Sequence, residues 1–277
     1  MKKIIFSVLI TLYFQCLYSQ SHPIYFVQGF IKKEIAKKNN IKSEAEYTCQ
    51  YLYGKPDTLE AGIVYREYNK DGNITLETNN YSERFYRKFL FTYNEFGNII
   101  EQKRFRANNN LNVLFNYSYD TAGKISEVRE YNNKGVYMGN YVYKYDTLNR
   151  LVEVQKQKDE YYYCLYSYDY SGRIKTLHTG KRMTGNLIEY EVEYNDNDNI
   201  SRLNIFTDDE YTITENIYTN QNKILQSIET NQLSDGTIEN QYKYSYYYEN
   251  ELLIEKTKYD MKTNEPIELV KYKYSFY

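Results

Sequence analysis

Hydrophobic and polar residues alternate with a period of two in segment after segment of this chain. Phe89, Phe91 and Tyr93 would share one face of a strand, with Lys88 and Thr92 on the other. Alternation over this length predicts a half-buried β-strand. The pattern recurs at Phe115-Tyr117-Tyr119, Tyr141-Tyr143-Tyr145, Tyr244-Tyr246-Tyr248 and Tyr272-Tyr274-Phe276.

Most of these strands lead into a short phrase that opens with tyrosine and has Ile or Leu six residues later. Seven copies occur, at spacings of 25, 26, 26, 23, 26 and 24 residues. A period in this range indicates a repeat architecture. The repeat tyrosines are Tyr68, Tyr93, Tyr119, Tyr145, Tyr168, Tyr194 and Tyr218.

The fourth position after each repeat tyrosine holds only Gly, Asn or Asp. These residues tolerate positive φ, so the position predicts a left-handed turn residue. The residues before it favour a hairpin loop of roughly 3–5 residues. The predicted turn positions are Gly72, Gly97, Gly123, Asn149, Gly172, Asp198 and Asn222.

A second turn signal lies midway between successive phrases, for example at Asp235-Gly236. Each repeat unit is therefore predicted to be two strands joined by alternating turns. We predict an all-β protein in which residues 60–277 form one continuous antiparallel meander, either a curved open sheet or a partial shell. Residues 20–59 are predicted to be a lead-in segment with a first strand and a short helix around residues 30–37.

An open meander would leave its last strand at an edge. Residues 271–277 alternate Lys and Tyr, and lysine on an edge strand opposes uncontrolled strand addition. We therefore expect that edge to be protected, or to be covered by a strand from a specific partner.

Residues 1–19 are predicted to be a secretory signal peptide. Lys2 and Lys3 precede about eleven mostly apolar residues, a run too short to span a membrane well. Cleavage after Ser19 would make Gln20 the first residue of an exported protein, located in the periplasm, at the cell surface or outside the cell. Cys16 raises the alternative of a lipid anchor, but the residues before it are larger than such a motif prefers.

Charge points to no nucleic-acid partner. Loss of Lys2 and Lys3 leaves 33 basic residues against 37 acidic ones, and the two signs are interspersed rather than clustered on a basic face. The chain has 37 tyrosines and no tryptophan. This composition suits a sheet with one face in water, because the tyrosine ring can be buried while its hydroxyl keeps a polar contact.

Residues that could carry chemistry are few, and the repeat accounts for most of them. His22 and His178 have no nucleophile placed by a known motif, so a catalytic triad is unsupported and His178 is predicted to be a solvated loop residue. Cys164 occupies a ladder position and is predicted to be a buried thiol. A disulfide to Cys49 is not expected, because it would join distant units of an extended meander.

Two loops partly match ligand-binding motifs. Residues 196–199 (DNDN) resemble the start of a calcium loop but lack its later Gly and Glu, and they coincide with a predicted turn. Residues 179–182 (TGKR) lack the glycine spacing of a phosphate loop and are predicted to belong to an ordinary charged rim. We therefore expect no cofactor, no metal and no enzymatic activity.

The phrase Tyr119-Asp120-Thr121-Ala122-Gly123-Lys124-Ile125 and the phrases at Tyr145 and Tyr168 resemble YD repeats of the RHS type. The resemblance covers roughly residues 60–277. It implies a secreted or surface β-strand shell, a class often labelled carbohydrate-binding that sometimes encloses a toxin domain. This chain has fewer repeats than the large toxin shells, and its sequence ends on a strand.

The sequence thus predicts an exported, non-enzymatic binding scaffold of the cell envelope or the extracellular space, with a protein or glycan as its partner. Exposed tyrosine rows could stack on sugars or accept an apolar protein surface, although tyrosines that recur with the repeat are expected to pack its core. Two alternatives remain open: a carbohydrate-binding module, and a truncated toxin shell or toxin-associated protein.

Overall fold

A computed structural model describes residues 33–58, 62–80, 86–106, 109–157, 162–181, 187–207 and 210–277. The predicted signal peptide, the cleavage site, Cys16 and His22 lie outside these residues. The described chain is all-β apart from one short helix, α1, over residues 33–38. This helix overlaps the segment where the sequence predicts one.

Nineteen strands follow the helix, most of them seven to twelve residues long. The strands are β1 (Ile41–Leu52), β2 (Lys55–Pro56), β3 (Gly62–Tyr68), β4 (Ile74–Asn80), β5 (Tyr86–Tyr93), β6 (Ile99–Phe105), β7 (Leu111–Tyr119), β8 (Ile125–Asn132), β9 (Tyr137–Tyr145), β10 (Leu151–Lys156), β11 (Tyr162–Tyr168), β12 (Ile174–Lys181), β13 (Leu187–Tyr194), β14 (Ile200–Phe206), β15 (Glu210–Tyr218), β16 (Ile224–Leu233), β17 (Ile238–Glu249), β18 (Leu252–Asp260) and β19 (Pro266–Phe276).

Strands β3 to β19 pair antiparallel in chain order, as a meander of hairpins should. The predicted open sheet is wrong, however, because β1 pairs with β3 on one side and with β19 on the other. This double pairing closes an antiparallel barrel of 18 strands, and β2 is an additional short strand on β1. Closure removes both free edges of the sheet.

The prediction for the last strand is also corrected by this closure. Strand β19 is not an edge, since nine residues of β1 face it, from Ile41 opposite Phe276 to Gln50 opposite Glu268. Residues 41–52, expected to lead into the sheet, are therefore one of its wall strands. We call the junction of β1 with β3 and β19 the seam.

Side chains alternate between an inward and an outward face of the barrel. The inward face carries the aromatic ladder, with Phe89, Phe91 and Tyr117 all buried. The intervening outward positions, such as Thr92 and Lys144, are exposed. The largest fully buried side chains of the described residues lie on five different strands and all point inward: Leu177, Gln102, Val64, Cys164 and Ser227.

Helix α1 packs against one end of the barrel. Ala36 of the helix is buried with Ile41, Tyr68 and Leu252, which are residues from three strand ends. The C-terminus lies at the same end, where the backbone N–H of Tyr277 donates to the carbonyl of Asn40 at 3.0 Å. The helix and both ends of the described chain therefore meet beside the seam.

Candidate functional site

Seven hairpin turns at one end of the barrel contain the predicted turn positions. We call this the tyrosine-turn end and number its turns along the chain. Turns 1 to 7 are residues 69–73, 94–98, 120–124, 146–150, 169–173, 195–199 and 219–223. Helix α1 and the hairpin between β17 and β18 lie at the same end.

The residue after each repeat tyrosine organises its turn. In turn 3, the Asp120 carboxylate accepts hydrogen bonds from the backbone N–H groups of Ala122 and Lys124, both at 2.9 Å. Such side-chain bonds make Asp, Asn and Thr natural turn initiators. At the seven predicted turn positions φ lies between 61° and 81°. This geometry explains why Gly, Asn and Asp alone occur there.

The repeat tyrosines link one repeat unit to the unit before it. The Tyr119 hydroxyl donates to the carbonyl of Ile99 at 2.6 Å, and the Tyr145 hydroxyl donates to that of Ile125 at 2.8 Å. Tyr93, Tyr168, Tyr194 and Tyr218 make the equivalent bond over 2.5–2.9 Å. These hydroxyls satisfy a backbone acceptor at each turn, so their role in the described structure is to hold adjacent units together.

Tyr68 is the exception among the repeat tyrosines. No repeat unit precedes it, and its hydroxyl donates instead to the Glu44 carboxylate of β1 at 2.6 Å. Burial raises the pKa of Tyr68 well above its usual value, and the nearby Glu44 carboxylate raises it further. The first repeat is thus joined to the seam by a charge-assisted bond rather than by the repeat contact.

The seam contains the most buried group of charges. Arg66 of β3 donates to Glu77 of β4 at 2.9 Å and to Glu44 and Glu46 of β1 at 3.0 and 3.3 Å. All four side chains point inward, and none is more than 13% exposed. One guanidinium therefore joins three strands across the closing junction, in the multidentate geometry that favours Arg over Lys.

Apolar side chains project into solvent from four consecutive turns of the tyrosine-turn end. Phe96 in turn 2, Leu148 in turn 4 and Tyr170 in turn 5 are 79%, 69% and 113% exposed, relative to a reference residue. Ala122 in turn 3 lies between them and is also exposed. We call these four residues the apolar rim.

The remaining turns at this end present polar tips. Turn 1 has Asp71, turn 6 has Asn197 and turn 7 has Gln221 at the position that Phe96 and Leu148 occupy in their own turns. All three are exposed. Among the tips of these seven turns, the apolar residues therefore occupy one contiguous arc and are not a property of the repeat.

Ion pairs border the apolar rim. Arg150 pairs with Asp146 of turn 4 at 2.7 Å, and Arg173 of turn 5 pairs with Asp169 at 2.7 Å and with Asp198 of turn 6 at 2.6 Å. Hydrogen bonding by the backbone N–H of Arg150, followed by its side chain, lowers the pKa of Asp146. The arc is thus a hydrophobic surface with internally paired charges beside it.

The other candidate residues from the sequence lie on different elements of the barrel and do not form a common site. His178 is not in a loop: it lies in β12, opposite Glu189, with Nε2 3.6 Å from Glu189 Oε1. Residues 196–199 form turn 6, and residues 179–181 end β12. Cys49 and Cys164 are buried thiols on different strands. Among the described residues no group of His, Cys, Asp and Glu has the arrangement to hold a metal ion.

The outward wall of the barrel carries ion pairs. Lys144 pairs with Glu153 between β9 and β10, and Arg129 pairs with Glu127 on β8, at 2.8 and 2.9 Å. A barrel wall in contact with lipid carries an apolar band about 25 Å tall. The outward positions of these four residues are charged rather than apolar.

The inward face also differs from that of a wide pore. Barrels of about 16–18 strands in porins enclose an aqueous channel. Here the side chains of Leu177 and Cys164 point inward and are 0% and 2% exposed, so water is excluded from that face at their positions. The described residues contain no helix that is long and apolar enough to cross a membrane.

No protein-family model matches the chain. A search of curated proteins also finds no match. Membership of the YD-repeat family, which the resemblance predicts, therefore stays a prediction.

Solved structures give low-similarity matches. A porin-like protein from Bacteroides uniformis is 10% identical, with 86% of this chain and 98% of that one covered and a TM-score of 0.47. A Tc holotoxin pore structure from Photorhabdus luminescens, with a TccC3 variant, is 14% identical, and a TcdB2-TccC3-Cdc42 complex is 13% identical. Both have TM-scores of 0.41, and the match covers 76% of this chain but only 12% of the toxin chain. These similarities assign neither family nor function.

Proposed function

We propose that this protein is an exported, non-enzymatic scaffold that binds a protein partner of the cell envelope or the extracellular space through the apolar rim. The observation that carries the proposal is the confinement of Phe96, Leu148 and Tyr170 to one arc of otherwise polar turns. The barrel supplies a rigid support, and the turns present the side chains that make contact.

The position and chemistry of the rim favour protein recognition. Exposed aromatic and aliphatic side chains gain free energy when a partner removes them from water, and aromatic residues are frequent anchors of protein interfaces. The neighbouring pairs Arg150–Asp146 and Arg173–Asp169 could form the polar border that such anchors usually have. Phe96, Tyr170 and Leu148, held on a rigid support, can therefore dominate the binding free energy of an interface of small area.

A glycan is the second candidate partner. The ring of Tyr170 is fully exposed, and an exposed tyrosine face can stack on an apolar sugar face while its hydroxyl forms a hydrogen bond. Under this alternative, Tyr170 and Phe96 would dominate binding and Leu148 would contribute little. Association with a toxin stays a prediction of the YD-repeat resemblance.

A binding experiment with matched variants tests the proposed surface. The protein beginning at Gln20 would be immobilised and exposed to envelope extract of its native host and, separately, to a glycan array. The rim variant carries Phe96→Ser, Leu148→Ser and Tyr170→Ser; the control carries Asp71→Ser, Asn197→Ser and Gln221→Ser in the polar turns. We expect a saturable partner that binds the wild type and the control but not the rim variant. Equal binding by all three proteins would overturn the proposal.

Export is tested separately. Mass spectrometry of the protein from its native host should find Gln20 as the N-terminal residue. An N-terminus at Met1 in a cytoplasmic fraction would contradict export, and a lipid on Cys16 would assign the protein to the membrane surface instead.

A further inference from the structure

We propose that Lys33, Asn73 and Gly97 form a binding site for a carboxylate group of the protein partner that contacts the apolar rim. The partner would present an acidic side chain or a C-terminus next to the apolar residue that covers Phe96. The inference names the chemistry of that partner, and it rests on the proposed function.

Turns 5 and 6 show how the chain binds a carboxylate of its own at this end of the barrel. Arg173 is the last residue of turn 5, and Asp198 is the turn position of turn 6. The guanidinium of Arg173 donates to the carboxylate of Asp198 at 2.6 Å. The last residue of one turn is thus joined to the turn position of the next turn by a charge-assisted hydrogen bond.

Turns 1 and 2 have the same relation, but Gly97 supplies no carboxylate. Asn73 ends turn 1 as Arg173 ends turn 5, and Gly97 is the turn position of turn 2. A Cβ built on Gly97 would lie 3.7 Å from Nδ2 of Asn73 and 3.9 Å from Nζ of Lys33 in helix α1. Two nitrogen donors therefore converge on the side of Gly97 where turn 6 carries the carboxylate of Asp198.

The amide of Asn73 is a donor in need of an acceptor. Asn73 is only 6% exposed, and its Nδ2 has no hydrogen-bond partner among the described residues. Buried donors are normally paired, because an unpaired one is unfavourable. Gly97 is half-buried, so an oxygen can approach it from solvent, and the flexible side chain of Lys33 can turn to meet that oxygen.

The convergence of donors at Gly97 does not follow from the turn geometry. Gly97, Gly123 and Gly172 have nearly equal φ of 78°, 78° and 81°. Among the described residues, however, no atom other than those of the chain neighbours lies within 4 Å of a Cβ built on Gly123 or Gly172. Phe96 immediately precedes Gly97 and is the exposed tip of turn 2, so the carboxylate site lies directly beside the apolar rim.

A small carboxylate tests the site itself. Sodium acetate would be titrated into the ¹⁵N-labelled protein beginning at Gln20, with sodium chloride at equal ionic strength as the reference. We expect saturable chemical-shift changes at the side-chain amide of Asn73 and the backbone N–H of Gly97 that chloride does not cause. Lys33→Gln should abolish these changes, whereas Lys37→Gln, at an exposed position of the same helix, should not. Unchanged signals, or the same response in both variants, would overturn the inference.

A carboxylate built into the chain provides a second test. Gly97→Asp places this group where Lys33 and Asn73 can bind it, whereas Gly123→Asp has no donors beside it. Both substitutions carry the same cost of a positive φ, so Gly97→Asp should have the higher denaturation midpoint. Adding Lys33→Gln should remove this advantage. Equal midpoints for the two aspartate variants would contradict the site.

Binding of the partner separates this inference from the proposed function. Lys33→Gln and Gly97→Asp should each weaken the partner that wild type captures by about tenfold, because a hydrogen bond to a charged group is lost. Lys37→Gln should leave the affinity unchanged. If the rim variant loses the partner and Lys33→Gln does not, the proposed function stands and this inference is wrong. If acetate binds as expected but the rim variant keeps the partner, the proposed function alone is wrong.

Discussion

The repeat wall and the seam stabilise one barrel by different means. Along β5 to β13, each unit repeats the same contacts: inward aromatic rings and a tyrosine hydroxyl bonded to the carbonyl of the unit before. At the seam, Arg66 and three carboxylates meet once, and Tyr68 bonds to Glu44 instead of to a carbonyl. A repeat contact can extend a sheet unit by unit, whereas the closing junction adds a cluster of one guanidinium and three carboxylates around Arg66.

The largest effect is expected from removing the strand that completes the seam. Deletion of residues 269–277 removes most of β19 and leaves β1 and β18 without a partner on one side. Unpaired edges promote association between chains. Light scattering should show oligomers or aggregates, and the cooperative unfolding transition should be lost. A monomeric deletion variant with wild-type stability would show that the repeat wall is self-sufficient.

Replacing the charge at the centre of the seam should have the next largest effect. Arg66→Met leaves three inward carboxylates without their guanidinium, which is expected to cost about 3–5 kcal/mol of unfolding free energy. The control is Arg129→Met on the repeat wall, because Arg129 pairs with Glu127 at the exposed surface. The control should cost much less, because an ion pair exposed to solvent contributes little to the free energy of unfolding. Urea unfolding measures both, and similar losses would contradict the distinction between seam and wall.

Two glycines with the same backbone conformation should differ in their tolerance of alanine. Gly72 and Gly123 both have φ of 78°, but only Gly72 has atoms of α1 where a Cβ would lie. Gly123→Ala should cost about 1 kcal/mol for the left-handed conformation. Gly72→Ala should cost about 1–3 kcal/mol more, because the helix must move. Equal denaturation midpoints would show that α1 contributes nothing to the end of the barrel.

The smallest effect is expected at a single repeat hydroxyl. Tyr119→Phe removes the hydrogen bond to the carbonyl of Ile99 and should lower the free energy of unfolding by about 1 kcal/mol at pH 8. Tyr170→Phe is the control, because its ring is fully exposed, and it should leave stability unchanged.

The pH dependence of the Tyr119 variant sharpens this comparison. Burial raises the pKa of Tyr119 to about 12, whereas the unfolded chain has a value near 10. The neutral hydroxyl therefore contributes its full stability below about pH 10, and this contribution is lost as the pH rises towards 12. The deficit of Tyr119→Phe relative to wild type should therefore shrink between pH 9 and 11. A constant deficit would rule out this titration.

The repeat wall could be predicted from the sequence because its signals are local. The alternation around Phe91 and Tyr93, and the turn residue Gly97 four positions later, lie within one hairpin. Closure could not be predicted in this way. Strand β1 pairs with β19 more than 200 residues away, and its inward positions Glu44 and Glu46 are polar, so no tyrosine ladder marks it as a wall strand.

The apolar rim was missed for a related reason. Phe96, Leu148 and Tyr170 occupy variable positions of the tyrosine phrase, whereas the repeat is recognised by its constant positions. A comparison of the third residue after each repeat tyrosine would have shown Phe96 and Leu148 as exceptions among Asp, Ala, Ser, Asn and Gln. Their exposure, by contrast, follows from the turn geometry and required the structure.

A closed antiparallel barrel limits the ways in which the number of strands in this chain can change. A ring in which every strand runs opposite to both neighbours must contain an even number of strands, and this one contains 18. One tyrosine phrase with its two strands is a unit that can be duplicated or lost while this parity is kept, whereas half a unit cannot. Each duplication would add about 10 Å to the circumference of the barrel. The number of repeat units therefore sets the diameter of the barrel in discrete steps.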